Sequence, residues 1–591
     1  SAFGYFALGS NTTGAFNTSL GRSCLQGNTT GGNNVGVGDV ALFVNTTGNN
    51  NVAVGVGALD ANTTASKNVA VGRAALGANT TAENGVAVGD LALSANTTGN
   101  YNIAIGSLAL DANTTASNNV AVGGQALTNN TTGFANVAVG RLALAQNQTA
   151  SNNTAVGHNA IFGTTTGTQN TAIGSLALYL NATASNNTAV GYNALTAMGA
   201  GGGSGGNTAV GSQAGVTLTT GIFNTLVGSF AGYDLTTASR VTLVGRSAGG
   251  NLTTGGDNTA IGELALAATT TGISNVAVGN NALDSNTTAS NNTAMGDEAL
   301  TTSSTGTQNT AIGRSSMHYT TTGSFNTAIG YHSMFNATTG NHNTAIGRTA
   351  LGGANTGSYN VAVGDCCGAN TSGNSNVAVG FGALDSNTVG YNNTAVGYSS
   401  GSANTNGAFH TFMGRDAGLS CTTSSNNSFV GYESGRNVTT GSNNTYIGRA
   451  AARVATTGND NIVIGNNAAN YNTAFNTNIT SILIGSHVHP SGNGNNNEIV
   501  MGYNIAGRGT NTFNVKASSG AYQSNNSSSW TTASDERIKK NIVNNNSGLD
   551  AINQIQVRNF EYRNEDEITD FENAAVVKIK KEGTQIGVIA A

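Results

Sequence analysis

A glycine recurs along this sequence at an almost fixed interval. It closes a triplet such as Ala-Val-Gly, at Gly4, Gly21, Gly38, Gly55, Gly72 and onward to Gly502. Between these 30 marker glycines lie 29 intervals. Twenty-six are 17 residues, two are 20 (ending at Gly211 and Gly485) and one is 16 (ending at Gly380). A 17-residue unit is too small to bury its own apolar face. Neighbouring units must therefore stack, and equivalent positions must line up as ladders along one axis.

The columns are chemically strict. The residue before the marker is apolar in all 30 cases, and the residue four before it is Asn in 24 of 29. Three after the marker is usually Ala, and four after is usually Leu in the first half, as at Leu59, Leu76 and Leu93. An Asn-Thr-Thr-Gly or Asn-Thr-Thr-Ala segment follows. Two short apolar stretches between Asn/Gly-rich connectors predict one coil of a parallel β-solenoid, with a strand in NVAVG and a second in xxALx. Helical repeats do not suit units so rich in Gly and β-branched residues. The fold class expected is all-β: a parallel β-solenoid (β-roll) of about 30 coils over residues 1–502, roughly 140 Å long at ~4.8 Å per stacked strand. The Asn column is expected to form an amide ladder and the Val/Ile column a dry seam. Ala53 points opposite to Val52 and Val54, so one strand face is left to be covered. A homotrimer with Ala and Gly near a shared axis would cover it.

Composition narrows the alternatives. Charged residues are 8% of the chain, against a usual ~25%. Net charge is only −5, so nothing marks a nucleic-acid footprint. No apolar run approaches the ~20 residues of a membrane span. Four Cys do not make a disulfide framework. Cys24 and Cys367 fall in the usual Ala column and read as small buried residues.

The repeat NxAVGxxAL resembles the head repeats of trimeric autotransporter adhesins, parallel β-rolls wound as trimers, although the period here is longer. Similar runs look like phage tail-fibre shafts. The C-terminus differs in character: residues 534–591 hold 18 of the 49 charged side chains. They open Ser534-Asp535-Glu536-Arg537-Ile538-Lys539-Lys540, continue through Val557-Arg558-Asn559-Phe560-Glu561-Tyr562, and close Ile586-Gly587-Val588-Ile589-Ala590-Ala591. That succession resembles the intramolecular chaperone auto-processing domain of phage tail spikes, tail fibres and endosialidases, a small α+β domain here truncated. The resemblance implies trimer assembly followed by self-cleavage, with Ser534 as nucleophile, Lys539 as its partner and Asp535 as the residue after the cut. A Ser hydroxyl needs a base to take its proton, and a desolvated Lys can serve. Taken alone, Ser534 also reads as a helix N-cap. The chain enters its repeat mid-coil and stops at a motif beyond which the family's domain normally extends. It is therefore expected to be a piece of a longer fibre.

Smaller signals remain. His487-Val488-His489, if on a strand, would place both imidazoles on one face. Six such nitrogens on a trimer axis would suit a divalent transition metal. Asn-x-Thr sequons at one column in the first nine coils (Asn11 through Asn147) would accept glycans in a secretory pathway, but Asn and Thr are also ordinary turn residues. Residues 503–533, rich in Ser and Asn, read as a neck before the C-terminal domain.

The function expected is a structural fibre protein: the trimeric shaft of a viral (phage) tail fibre or appendage for host attachment, located extracellularly on the virion. No activity on an external substrate is expected. Its expected partners are two further copies of itself, a host surface receptor or glycan, and other virion tail proteins, but neither nucleic acid nor a membrane span. The alternative is a cell-surface trimeric adhesin with the same roll. Breaks in the pattern mark candidate contact regions: 198–206, 470–481 and the aromatic and His residues around 318–342.

Overall fold

The computed structural model describes residues 1–199, 205–368, 371–470 and 475–516, together with strands Gly520–Ser524, Thr531–Thr532, Val557–Phe560 and Gln585–Val588. The chain divides into two compact units, Ser1–Ala517 with Tyr522–Ser528, and Ser518–Ala521 with Ser529–Ala591.

The first unit is a parallel β-solenoid. From Ala2–Phe3 to Thr512–Lys516 every strand pairs in parallel with the next one along the chain. Like residues meet like: Val52 pairs with Val69, Ala53 with Ala70 and Val54 with Val71. The irregular intervals leave this register intact. Thr188 meets Thr208 across a 20-residue coil, and Val361 meets Val377 across the 16-residue one. The length changes fall outside the paired strands. No α-helix occurs among the described residues, and no helix is long and apolar enough to cross a membrane.

Each coil holds one short strand, of three residues in all but the first and last, such as Val69–Val71, and not the two expected. The Ala-Leu stretch is a run of turns in which left-handed residues alternate with others: Ala74 has φ 50° and Leu76 φ 51°. Burial accounts for the difference. Ala75 and Leu76 are adjacent and both fully buried, whereas a strand sends adjacent side chains to opposite faces. The alternating backbone turns both inward and still ladders between coils. The Ala74 amide donates to the Val56 carbonyl of the preceding coil at 2.9 Å, and the Leu76 amide to Ala92 of the next at 3.0 Å.

The markers are glycine for a steric reason. At Gly140, φ is 132°, and a Cβ there would overlap the carbonyl of Gly157 in the next coil. Only glycine tolerates both the angle and the approach.

The dry seam is made of Ala and Leu, not of the Val/Ile column. Ala53 is fully buried, while Val52 and Val54 are half-exposed. Alanine therefore faces the inside of the coil and cannot line an axis shared with other chains; the outward columns are Val/Thr and Val/Ile. Core volumes compensate one another. Where the central strand residue grows to Phe412, the residue four after the marker shrinks to Gly418, and a Cβ on Gly418 would lie 2.6 Å from the Phe412 ring. Phe429 and Gly435 are matched in the same way, at 2.5 Å.

The two asparagine columns divide the polar work. The column four before the marker bonds backbone: Asn51 donates from Nδ2 to Ala65 O at 2.8 Å, and its Oδ1 accepts the Asn68 amide at 3.0 Å. That column also carries the expected amide-to-amide rungs at scattered coils, as from Asn136 Nδ2 to Asn119 Oδ1 and from Asn444 Nδ2 to Asn427 Oδ1, both at 3.2 Å. The unbroken amide ladder, however, runs through the sequon asparagines. Nδ2 of Asn28, Asn45, Asn62 and onward to Asn147 each donates to Oδ1 of the Asn one coil earlier, at 2.6–3.5 Å. It stops at Asn147, whose Oδ1 is buried without a partner because Thr164 takes the next rung. From Asn28 to Asn147 these asparagines are fully buried, so the folded coil presents no acceptor amide there to a glycan.

Candidate functional site

Ser534, Asp535 and Lys539 lie outside the described residues. Within 534–591 the described part is an antiparallel pair, Val557–Phe560 with Gln585–Val588, in which Val557 meets Val588 and Phe560 meets Gln585. Two of the three sequence motifs of this segment are thus brought side by side.

His487 and His489 do not share a strand. His487 sits in the turn after Ile482–Ile484 with φ 57°, and only His489 makes a bridge, to Ala506. Val488 between them is fully buried. Nδ1 of His487 is 2.8 Å from Ser486 Oγ, and Nδ1 of His489 is 3.2 Å from the Pro490 carbonyl. The one-face strand geometry expected for an axial metal site is therefore replaced by a turn. Among the described residues, no three His, Cys, Asp or Glu side chains cluster to hold a metal.

The aromatic break does assemble into a surface cluster. His332 stacks on Tyr331 at 3.8 Å and on Phe335 at 4.3 Å; Phe335 also meets His318 at 5.3 Å and Tyr319 edge-on at 5.1 Å. Tyr319 and Tyr331 are exposed. Burial beneath its neighbours, with Arg314 nearby, holds the His332 imidazole below the usual histidine range. One coil edge away, Phe325, His342 and Tyr359 stack at 4.7 and 5.1 Å with nearly parallel planes. All these residues lie in turns, off the strand columns.

A second ladder was not singled out from the sequence. Arg415 lies 5.5 Å from the Tyr398 ring and 5.7 Å from Tyr432, and Arg449 lies 5.9 Å from Tyr432. All four follow a marker glycine directly, so the signal was present as one column at 17-residue spacing. The same column carries ion pairs between successive coils: Arg22–Asp39 at 2.7 Å, Arg73–Asp90 at 2.8 Å, Arg348–Asp365 at 2.8 Å, and Arg246–Glu263. These pairs are exposed and add little stability each, but an unlike-charge neighbour favours one register over another. The insertion at 200–204 and residues 471–474 lie outside the described residues.

Comparison with known families matches residues 534–591 to the family described as chaperone of endosialidase. Neither the curated proteins nor the solved structures contain a match to the chain. A chaperone-of-endosialidase segment behind a 30-coil parallel β-solenoid fits a phage tail fibre with a C-terminal chaperone domain.

Proposed function

We propose that this chain is the shaft of a homotrimeric phage tail fibre or appendage that attaches the virion to its host. Its C-terminal domain, of α+β build, brings three chains into register and then cuts itself free. The single observation carrying the reading is the match of 534–591 to a chaperone of endosialidase directly behind a solenoid of this length. A chaperone at this position answers a physical need, because parallel pairing is slow and its unpaired edges invite aggregation. The shaft then acts mechanically, as a stiff support for receptor recognition. The exposed ring cluster around His318–Phe335 and the Tyr398–Arg449 ladder are its candidate receptor surfaces.

In the self-cleavage step Lys539 takes the Ser534 hydroxyl proton, Oγ attacks the Ser534 carbonyl carbon, and the proton passes to the departing Asp535 nitrogen as the Ser534–Asp535 bond breaks. Water then hydrolyses the cyclic ester, leaving a Ser534 carboxylate and Asp535 as the first residue of the released piece. Ser534→Ala tests this. The native chain is expected to yield a shortened shaft and a small C-terminal fragment on a denaturing gel, and the variant only the full-length band. Equal cleavage in both would remove Ser534 from the role.

A further inference from the structure

The outward face of the strand ladder is uncharged through all 30 coils. The column before each marker is apolar in all 30 coils, and the column three before is Val, Ile, Thr or Ser in all 30. None of the 31 charged residues of 1–533 falls in any strand column of these coils. They lie in the turns, as the ion pairs above do, in the buried asparagine column, like Glu498, or, like Lys516, in the strand that follows the last of these coils. The outward side chains are nevertheless open to solvent: Ile105, Ile173, Ile261, Met295, Met413 and Ile447 are all exposed.

A strand of three residues is roughly 7 Å wide, and 30 rungs at ~4.8 Å give a stripe of about 1,000 Å². Roughly 700 Å² of it is apolar, because 43 of its 60 outward side chains are Val, Ile, Leu, Met or Phe and the other 17 Thr or Ser. Contiguous apolar patches on soluble monomers rarely exceed ~300–600 Å². A stable association buries ~800 Å² per partner. The stripe is therefore too large to leave wet and large enough to hold a partner. Its occupant must be as long as the stripe and keep the same rise per coil without drifting out of step. A second copy of this chain meets both conditions.

We infer that the outward Val/Ile–Thr face of the strand ladder is the surface through which copies of this chain pack together. This rests on the trimeric reading above and names the face it uses. The turn faces, with their paired charges, rings and cation–π ladder, stay outside and free to meet a receptor.

The test uses the full chain. Val122→Glu/Val139→Glu/Val156→Glu places three charges in the outward column of successive coils. Thr115→Glu/Thr132→Glu/Thr149→Glu places three on an exposed turn of the same region. Light scattering reads the mass and circular dichroism the fold. The native chain and the Thr variant are expected at the mass of three chains, and the Val variant at one chain with an unchanged spectrum. A Val variant that stays at the native multi-chain mass overturns the inference and leaves the trimer standing. A native chain of single-chain mass overturns both. Should the Val variant fail to fold, spin labels at Val139→Cys and Thr132→Cys, each in a Cys366→Ser background, answer the same question. A shorter inter-chain separation at 139 supports the inference, and a shorter one at 132 overturns it.

Discussion

At position 410 a histidine takes the place of the asparagine that fills this column in most coils. It imitates the amide closely. Nε2 lies 2.8 Å from the Ser424 carbonyl, and Nδ1 accepts the Asn427 amide at 3.2 Å. Those partners require the neutral ring with its proton on Nε2. Burial pushes the imidazole down to about 4, below its ordinary 6.5. The unfolded chain therefore takes up a proton between pH 6.5 and 4 that the folded coil refuses, and stability falls as pH drops through that window. The loss is on the order of 3 kcal/mol once pH is below 4. His410→Asn is expected to abolish that acid-dependent loss, seen as a flatter pH dependence of hydrogen exchange in the coils around Asn393–Asn427. An unchanged profile would place the acid sensitivity elsewhere. Cysteines follow the same logic: burial pushes the Cys367 and Cys421 thiols up to about 12, so they stay protonated and inert. The inward place of Cys24 and Cys367 was legible from their column. The imidazole's mimicry was not, because it depends on two backbone groups 14 and 17 residues away.

Within one coil the controlling quantity is volume. Strand centre and turn share a narrow interior, so a large residue in one demands a small one in the other. Phe412→Ala would leave a cavity costing about 3–5 kcal/mol. Gly418→Leu would overpack the Phe412 ring at about 1–3 kcal/mol. Together they recreate the Ala/Leu pairing of the commoner coils, as in Ala87 with Leu93. The double variant is expected to be less destabilised than either single change, with a coupling of about 1–3 kcal/mol. Thermal unfolding of the three variants checks this, and simple additivity would refute the shared-volume account. The three-residue strand itself was readable from Val-Ala-Val alternation. The left-handed turns were not, because leucine at positive φ runs against local preference. It is held there by burial and by amide bonds to both neighbouring coils.

Across the solenoid, each coil touches only its two neighbours, so damage is expected to stay local. Leu243→Asp puts a charge into a fully buried core position. Limited proteolysis of that variant should cut near residues 226–260 and leave two resistant pieces. Digestion of the whole shaft would instead mean that the coils unfold as one cooperative body.

The 17-residue period, the parallel stacking and the register were determined by the sequence alone, because equivalent residues 17 apart can satisfy one another only by lying side by side. The strand's two faces were equally plain from its period of two. Which face closes inward was decided only in three dimensions. Both faces of Val-Ala-Val are apolar, so hydropathy does not choose between them. The choice falls to space: a coil of 17 residues whose Leu already points inward has room for alanine opposite it, and the larger Val and Ile are left on the outside.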